Sequence, residues 1–473
     1  MLCSGVCDYR DAMQTLEQLL AQARRCYALG DTAAAKALYL EVLRLDPCQS
    51  SALSELGALA LASGHRSAAR TAYQQAVRCY PEDPVALVNL GNLELQDNRA
   101  QDARRHFEAA RRLDAGFPEV HQGLARVLMA QGEYAAAQEH FDLGFAGHAL
   151  LRLPFLGLGE PVKVLLLVST HFGNVSTREF LDPRRFEVWV LYVEYFDATQ
   201  ALPAHEVVFN AIGDADLCAG ALRAANKVLS YTDAPLINVP DRVLESTRVE
   251  NARRLGSIPG VVTAATRRLR REQLPAFGAH SDVGFPLLIR SPGFHMGSHF
   301  VRVGSREQLQ VEASQLPGDE LLVMEFLDAR GADGMSRKYR VMWIDGRVYP
   351  LHLAISADWK VHYFSAAMAS EPRYREEERR FLEAMPAILG PAGMKGLQQL
   401  GAALGLDYAG IDFGLSQSGA ILVFEANATM VIAAPPPDPM WDYRRAAIEQ
   451  ARAAAIELVC TRARSSVKRI KPA

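Results

Sequence analysis

A 34-residue spacing runs through the first third of the chain and limits what that part can fold into. Gly30, Gly64, Asn98 and Gly132 share one phase, Ala35, Ala69, Ala103 and Ala137 a second, and Tyr39, Tyr73, Phe107 and Phe141 a third. Pro47 and Pro81 keep the same step, with Ala115 next. Several positions repeating in register argue for a helical array over a bundle with coincidental spacing. Small alanines let paired helices approach, the ring fills the gap to the next helix, and glycine or asparagine turns the chain between them. Each unit buries its apolar face only against its neighbours, so a short superhelix with a binding groove is expected.

Composition bounds the rest. With 473 residues, 49% hydrophobic and 22% charged, the chain can bury sizeable cores in roughly three domains. Lys+Arg 51 against Asp+Glu 54 leaves a net charge of -3, so nothing global attracts nucleic acid or an acidic membrane, and any anionic ligand must be held locally. The start has no basic region ahead of an apolar core, and no apolar run approaches the roughly 18 residues of a membrane helix, so a soluble, cytoplasmic protein is expected. Cys3, Cys7, Cys26, Cys48, Cys79, Cys218 and Cys460 are odd in number and lack paired short spacings. They read as small buried hydrophobes, with Cys3 and Cys7 as exposed thiols, not as a disulfide framework or a zinc site.

Beyond residue 149 the period changes. Residues 150–161 carry glycine and proline and read as a linker. Short apolar runs such as VKVLLLV (162–168) and VWVLYV (188–193) alternate with helix-like segments, which predicts a small parallel α/β unit, with Ser169, Thr170, His171 and Asn174 just past its first strand. Further on, FPLLIRSPGFHMGSHFVRV reads as strand, loop, strand. Arg290 ends the first strand and Gly293 and Gly297 loosen the loop, which suits phosphate binding. In LLVMEFLD an apolar strand runs into Glu325 and Asp328, and in DYAGIDFGLSQSGAILVFEANATM a hairpin sets Asp412 beside Glu425 and Asn427. Strand alternation puts Glu425 and Asn427 on one face. Two carboxylates and an amide are hard oxygen ligands of the kind Mg²⁺ takes.

The early Leu56-Gly57 and Leu90-Gly91 pairs, together with the three phases, resemble the tetratricopeptide family, with about four repeats over residues 16–149. The order of elements over residues 162–460 resembles the ATP-grasp superfamily, near ribosomal-protein glutamate ligases, glutathione synthetases and D-alanine ligases; FEANATM is its most specific segment. The fold class so implied is multidomain. An α-helical repeat superhelix (1–149) and the linker precede an α/β pre-ATP-grasp domain (162–245), an α+β ATP-grasp module (246–460) and a solvated basic tail (461–473).

The same resemblance implies site residues. Asp412, Glu425 and Asn427 would hold Mg²⁺, or Mn²⁺ in its place, and Arg248 and Arg290 stand where phosphate-binding lysines are usual. Met324, Glu325, Phe326 and Leu327 would form the adenine hinge, and Gly297 and His299 belong to the flap over the phosphates. Arg340 takes the place of the arginine that steadies an acyl phosphate. Lys338 stands where an acid is usual, which leaves Asp328 or Asp333 for the ribose. Lys360 is placed to hold a substrate anion and His362 to accept a proton from the attacking amine.

The implied activity is ATP-dependent carboxylate-amine ligation through an acyl phosphate, joining an amino acid, peptide or related carboxylate to an amine. The repeats would recruit a peptide or protein, a homodimer is compatible with the reading, and neither nucleic acid nor membrane is an expected partner. The alternative is a repeat scaffold with a nucleotide-binding but catalytically degenerate fold. A third outcome keeps the fold and passes the acyl or phosphoryl group to a thiol or another acceptor.

Overall fold

The computed structural model describes residues 4–277, 283–292, 299–361 and 366–467. Two compact units divide the chain: residues 1–162 with 183–200, and residues 163–182 with 201–473.

The first unit opens with eight helices: α1 (Ser4–Ala28), α2 (Thr32–Leu45), α3 (Ser50–Ala62), α4 (Arg66–Cys79), α5 (Pro84–Gln96), α6 (Ala100–Leu113), α7 (Pro118–Gln131) and α8 (Tyr134–Phe145). The sequence phases have direct physical counterparts. Gly30, Gly64, Asn98 and Gly132 all adopt positive φ, which glycine and asparagine tolerate best, and each lies between the two helices of a pair. Ala35, Ala69, Ala103 and Ala137 are fully buried, and the four rings at the third phase are buried beside them. The Tyr73 ring packs on Gly57 and the Phe107 ring on both Gly91 and Gly123, where a Cβ would collide with it. Helix starts are specified locally: Asp31 accepts from the Ala34 amide at 2.9 Å, Gln49 from Ala52 at 2.7 Å and Asp83 from Val85 at 2.9 Å, with Pro84 and Pro118 opening α5 and α7.

One expectation fails here. Cys48 and Cys79 form a disulfide, so they are neither free nor small buried hydrophobes. They are 31 residues apart, a spacing that gives no cue when cysteines are read as local clusters, yet the repeat brings the loop after α2 to the end of α4. Cys26, Cys218 and Cys460 stand outside any disulfide, and the side chains of Cys3 and Cys7 lie outside the described residues. Among the described residues no helix is long and apolar enough to cross a membrane.

Strands β1 (Leu150–Arg152), β2 (Val162–Val168) and β3 (Phe186–Tyr192) follow. β1 and β3 pair antiparallel within the first unit, and Tyr192 and Tyr195 pack on Phe145 of α8.

The second unit begins as a parallel sheet of β2, β4 (Val207–Asn210) and β5 (Leu236–Ile237), with α9 (Ala219–Leu229) as the crossover. The strands are buried apolar runs, as a parallel sheet requires. After α10 (Pro240–Leu244) and α11 (Arg248–Leu255) the chain makes β6 (Val261–Thr263), β7 (Thr266–Arg270), β8 (Leu287–Arg290), β9 (Phe300–Val303), α12 (Arg306–Gln315) and β10 (Glu320–Glu325). Next come β11 (Ser336–Ile344), β12 (Arg347–Ser356), the helical segment α13 (Pro372–Leu404), β13 (Tyr408–Leu415), β14 (Ile421–Asn427) and α14 (Arg445–Val467).

These strands form two sheets. One is antiparallel, in the order β7-β10-β8-β9; the other runs β12-β11-β13-β14-β6, with only β14 and β6 parallel. α13 breaks its helical backbone at Ala384 and Gly390, beside Pro386 and Pro391, and covers the second sheet, where the Trp343 indole donates to the Leu397 carbonyl at 2.9 Å. Part of the expected basic tail is instead the end of α14, where Arg462 pairs with Asp407 at 2.6 Å and Asp345 at 3.2 Å; apolar residues such as Ala455, Leu458 and Val459 bury that helix. Residues 468–473 lie outside the described residues.

Replacing Gly123 with alanine forces a Cβ into the Phe107 ring. The expected cost is about 1–3 kcal/mol, read as a lower urea midpoint of the helical circular-dichroism signal; an unchanged midpoint would contradict this packing.

Candidate functional site

The site is built on β11, β13 and β14, whose register sets Arg340 opposite Asp412 and Asp412 opposite Glu425, with Asn427 opposite Gly410. Side chains two apart on a strand share a face, so Lys338 joins Arg340 there and Asn427 joins Glu425. Asp412 is almost fully buried at 3% exposure and accepts three charged hydrogen bonds. Arg340 gives two, at 2.6 Å to Oδ1 and 2.8 Å to Oδ2, and the Lys338 ammonium gives one at 3.0 Å to Oδ2. Glu425 is paired with Arg248, and its Oε1 also accepts from the Asn427 amide at 3.0 Å. Arg248 stays within 3.7 Å of Asp216, which Arg268 holds at 2.8 Å.

Burial alone would push the Asp412 carboxyl up, but Arg340 and then Lys338 outweigh it and hold the group well below the ordinary range. Burial acts the same way on Glu425, where Arg248 wins and the carboxyl is again lowered. Both groups are therefore anions. Among the described residues no cluster of three or more His, Cys, Asp or Glu side chains is placed to hold a metal. The hard donors available are two ionised carboxylates and one carboxamide, and those donor types fit Mg²⁺. At present guanidinium and ammonium groups occupy the carboxylates, and Thr429 donates to the Asn427 oxygen at 2.8 and 3.0 Å.

These groups open onto a cavity of about 580 Å³ between the two sheets of the module. Leu288, Arg290 and Phe300 come from one sheet and Lys338, Arg340, Asp412 and Glu425 from the other. Where β10 ends, Glu325, Phe326 and Leu327 run along the wall. Trp359 stands edge-on to Phe300 and Phe326, with ring centroids 5.5 and 6.1 Å away. Two cations crowd the Phe300 ring: Arg290 at 5.4 Å and Lys360 at 5.9 Å from its centroid. Burial, then the nearby Arg248, pushes Arg290 down to about 10; burial, then Arg290, lowers Lys360. Phe172, Gly173 and Asn174, from the loop after β2, close another part of the wall.

The structure gathers Arg248, Arg290, Glu325, Phe326, Leu327, Arg340, Lys360, Asp412, Glu425 and Asn427 around this one cavity. Three residues stand elsewhere: His299, Asp328 and Asp333 are not in its wall. Asp328 pairs with Arg330 and Asp333 with Arg337, so both acids are engaged in local ion pairs. Gly297 and His362 lie outside the described residues, as does most of the flap. Lys338 is turned toward Asp412, not toward a ribose contact. Sequence reasoning missed that contact, although the two-residue spacing from Arg340 carried the signal. It also missed Asp216 and Trp359 as site features, because they depend on elements folding together from distant positions; of the residues expected past β2, Asn174 does reach the wall, beside Phe172 and Gly173.

The tetratricopeptide repeat family model matches residues 94–146. Solved structures similar to part of the chain include MamA, residue 41 to the end, from Desulfovibrio magneticus RS-1, at 25% identity over 27% of this chain and 71% of that one, with a TM-score of 0.25. Pseudomonas aeruginosa PilF is 25% identical over 28% of this chain and 60% of that one, at 0.26. A tetratricopeptide repeat protein from Parabacteroides merdae is 17% identical over 28% and 54%, at 0.27. A search of curated proteins finds no match. The chain thus carries a tetratricopeptide-like N-terminal helical repeat region followed by a mixed α/β region.

Asp412→Asn leaves two half-buried cations without their anion, at an expected cost of about 3 kcal/mol. Because the folded carboxyl is lowered from 3.8, the wild-type advantage is complete above that value and fades as pH falls below it. Thermal denaturation of both proteins across pH checks this; a gap that closes between pH 7 and 5 would contradict the ion-pair assignment.

Proposed function

We propose that the second unit is an ATP-dependent carboxylate-amine ligase of the ATP-grasp type, working through an acyl phosphate, and that the repeats bring it a peptide or protein. One observation carries the reading: Arg248, Arg290, Lys360 and Arg340 converge with Asp412 and Glu425 in a single cavity between two sheets. Arg290 and Lys360 repel each other yet share the Phe300 ring, an arrangement that a polyphosphate would relieve.

In the proposed reaction a substrate carboxylate oxygen bonds to the γ-phosphorus, the bridging P–O bond to ADP breaks, and ADP leaves with the electron pair. The amine nitrogen then bonds to the acyl carbon, phosphate departs and the amine loses a proton. The chain's part is positioning and charge stabilisation, not a covalent nucleophile. Arg290 and Lys360 hold phosphate oxygens, and the backbone past Glu325 meets the base. Arg340, with its planar fork fixed by Asp412, faces the developing acyl phosphate. A divalent ion bound through Asp412, Glu425 and Asn427 would neutralise polyphosphate charge. His362 remains the proposed proton acceptor.

A second reading, a repeat scaffold with a degenerate nucleotide site, draws on the fact that both carboxylates already carry guanidinium partners. Release of ADP and phosphate across a panel of carboxylic acids and amines separates the two. The ligase reading expects turnover that needs both substrates and falls at least about 100-fold in Glu425→Gln without loss of folding. Nucleotide binding with no turnover across the panel would favour the scaffold.

A further inference from the structure

Lys338, which stands where an acid is usual, is engaged with Asp412. Its ammonium lies 3.0 Å from Asp412 Oδ2, the oxygen that Arg340 Nη2 reaches at 2.8 Å, while Arg340 Nε takes Oδ1. A carboxylate offers about four lone-pair sites, and three are filled here by charged donors. One buried anion therefore carries two fixed cations, and the surplus positive charge is retained inside the cavity wall. Neither cation is a chance surface contact: the Lys338 side chain is 15% exposed and that of Arg340 is 26% exposed.

The two cations play different parts. Arg340 grips Asp412 through both oxygens, which fixes the plane of its guanidinium. Lys338 adds a single point charge to one oxygen and orients nothing else. A divalent ion approaching that same oxygen meets both charges at close range, in a setting where burial strengthens Coulomb interactions. Glu425, opposite Asp412 in register, has one guanidinium partner and the Asn427 amide beside it, so it is the less encumbered carboxylate.

We infer that Lys338 is a built-in cation at Asp412 that stands in for part of the charge a divalent ion would supply, and that it keeps such an ion off Asp412, on the Glu425 and Asn427 side, until a polyphosphate arrives with it. The inference rests on the nucleotide reading above for its last clause only; the competition between Lys338 and a metal at Asp412 is independent of it. Lys338 is thus a positioning residue for charge.

Mn²⁺ alone is the probe, titrated into the full chain and followed by its free-ion paramagnetic resonance signal, without nucleotide. Lys338→Met should bind Mn²⁺ about tenfold more tightly than wild type, as expected for deleting one nearby like charge. Adding Asp412→Asn to Lys338→Met should abolish that gain. Equal affinity of wild type and Lys338→Met overturns the inference, and so does a gain that survives Asp412→Asn. In a separate arm, a non-hydrolysable ATP analogue should tighten Mn²⁺ binding to wild type by at least about tenfold. If wild type binds the analogue and Mn²⁺ without mutual enhancement, the dependence on polyphosphate is overturned. If it binds no analogue at all, the nucleotide reading fails while the Lys338 comparison still stands or falls on its own.

Discussion

The second unit depends on the burial of one charge. Asp412 sits in the middle of a sheet, flanked by Ile411 and Phe413, where an isolated carboxylate would be strongly disfavoured. It is tolerated because the neighbouring strand delivers Arg340 directly opposite and Lys338 two residues away. Because these partners come from β11, the strand register and the charge network specify each other: a one-residue slip would turn both cations to the opposite face and leave the carboxylate buried alone. The hairpin of β13 and β14 then places Glu425 beside it, and Arg248 reaches across from the start of α11.

A second buried network lies behind the same sheet. Glu378 of α13 is fully buried, accepts from the Tyr443 hydroxyl at 2.5 Å and pairs with Arg444 at 3.2 Å. Burial raises this carboxyl above its usual value, and Arg444 and then Tyr443 pull part of that back. It ties the segment just before α14 to the helix that covers the sheet. His352, opposite Arg340 in register, is buried on the adjoining strand and its pKa is lowered well below normal, first by burial and then by Arg340. The candidate site is thereby backed by buried polar groups of the helix and strand behind it.

Much of this was legible in the residues. The repeat showed itself because each phase answers a steric need: positive φ at Gly30, a small residue at Ala35, a ring at Tyr39. The hairpin of β13 and β14 showed itself through alternation, and the turn between β11 and β12 falls at Asp345-Gly346, where both residues take positive φ. The hidden features share one property, a dependence on which distant elements meet. Cys48 and Cys79 look unrelated until the array stacks their segments, and Lys338 looks like a cation out of place until β13 lies beside β11. The C-terminal basic run looks like a tail because its charges mask the apolar face of α14.

The path of the chain has a consequence for anyone wishing to cut it. The polypeptide leaves the first unit at residue 162, returns for residues 183–200 and leaves again, so the two are not beads on a string. A truncation placed after the last repeat helix would discard Phe145 yet retain Tyr192 and Tyr195, stranding two rings that normally shelter against it. Grafting the array onto another protein would likewise leave its closing strand behind. Two excisions, not one, take the first unit out of this chain.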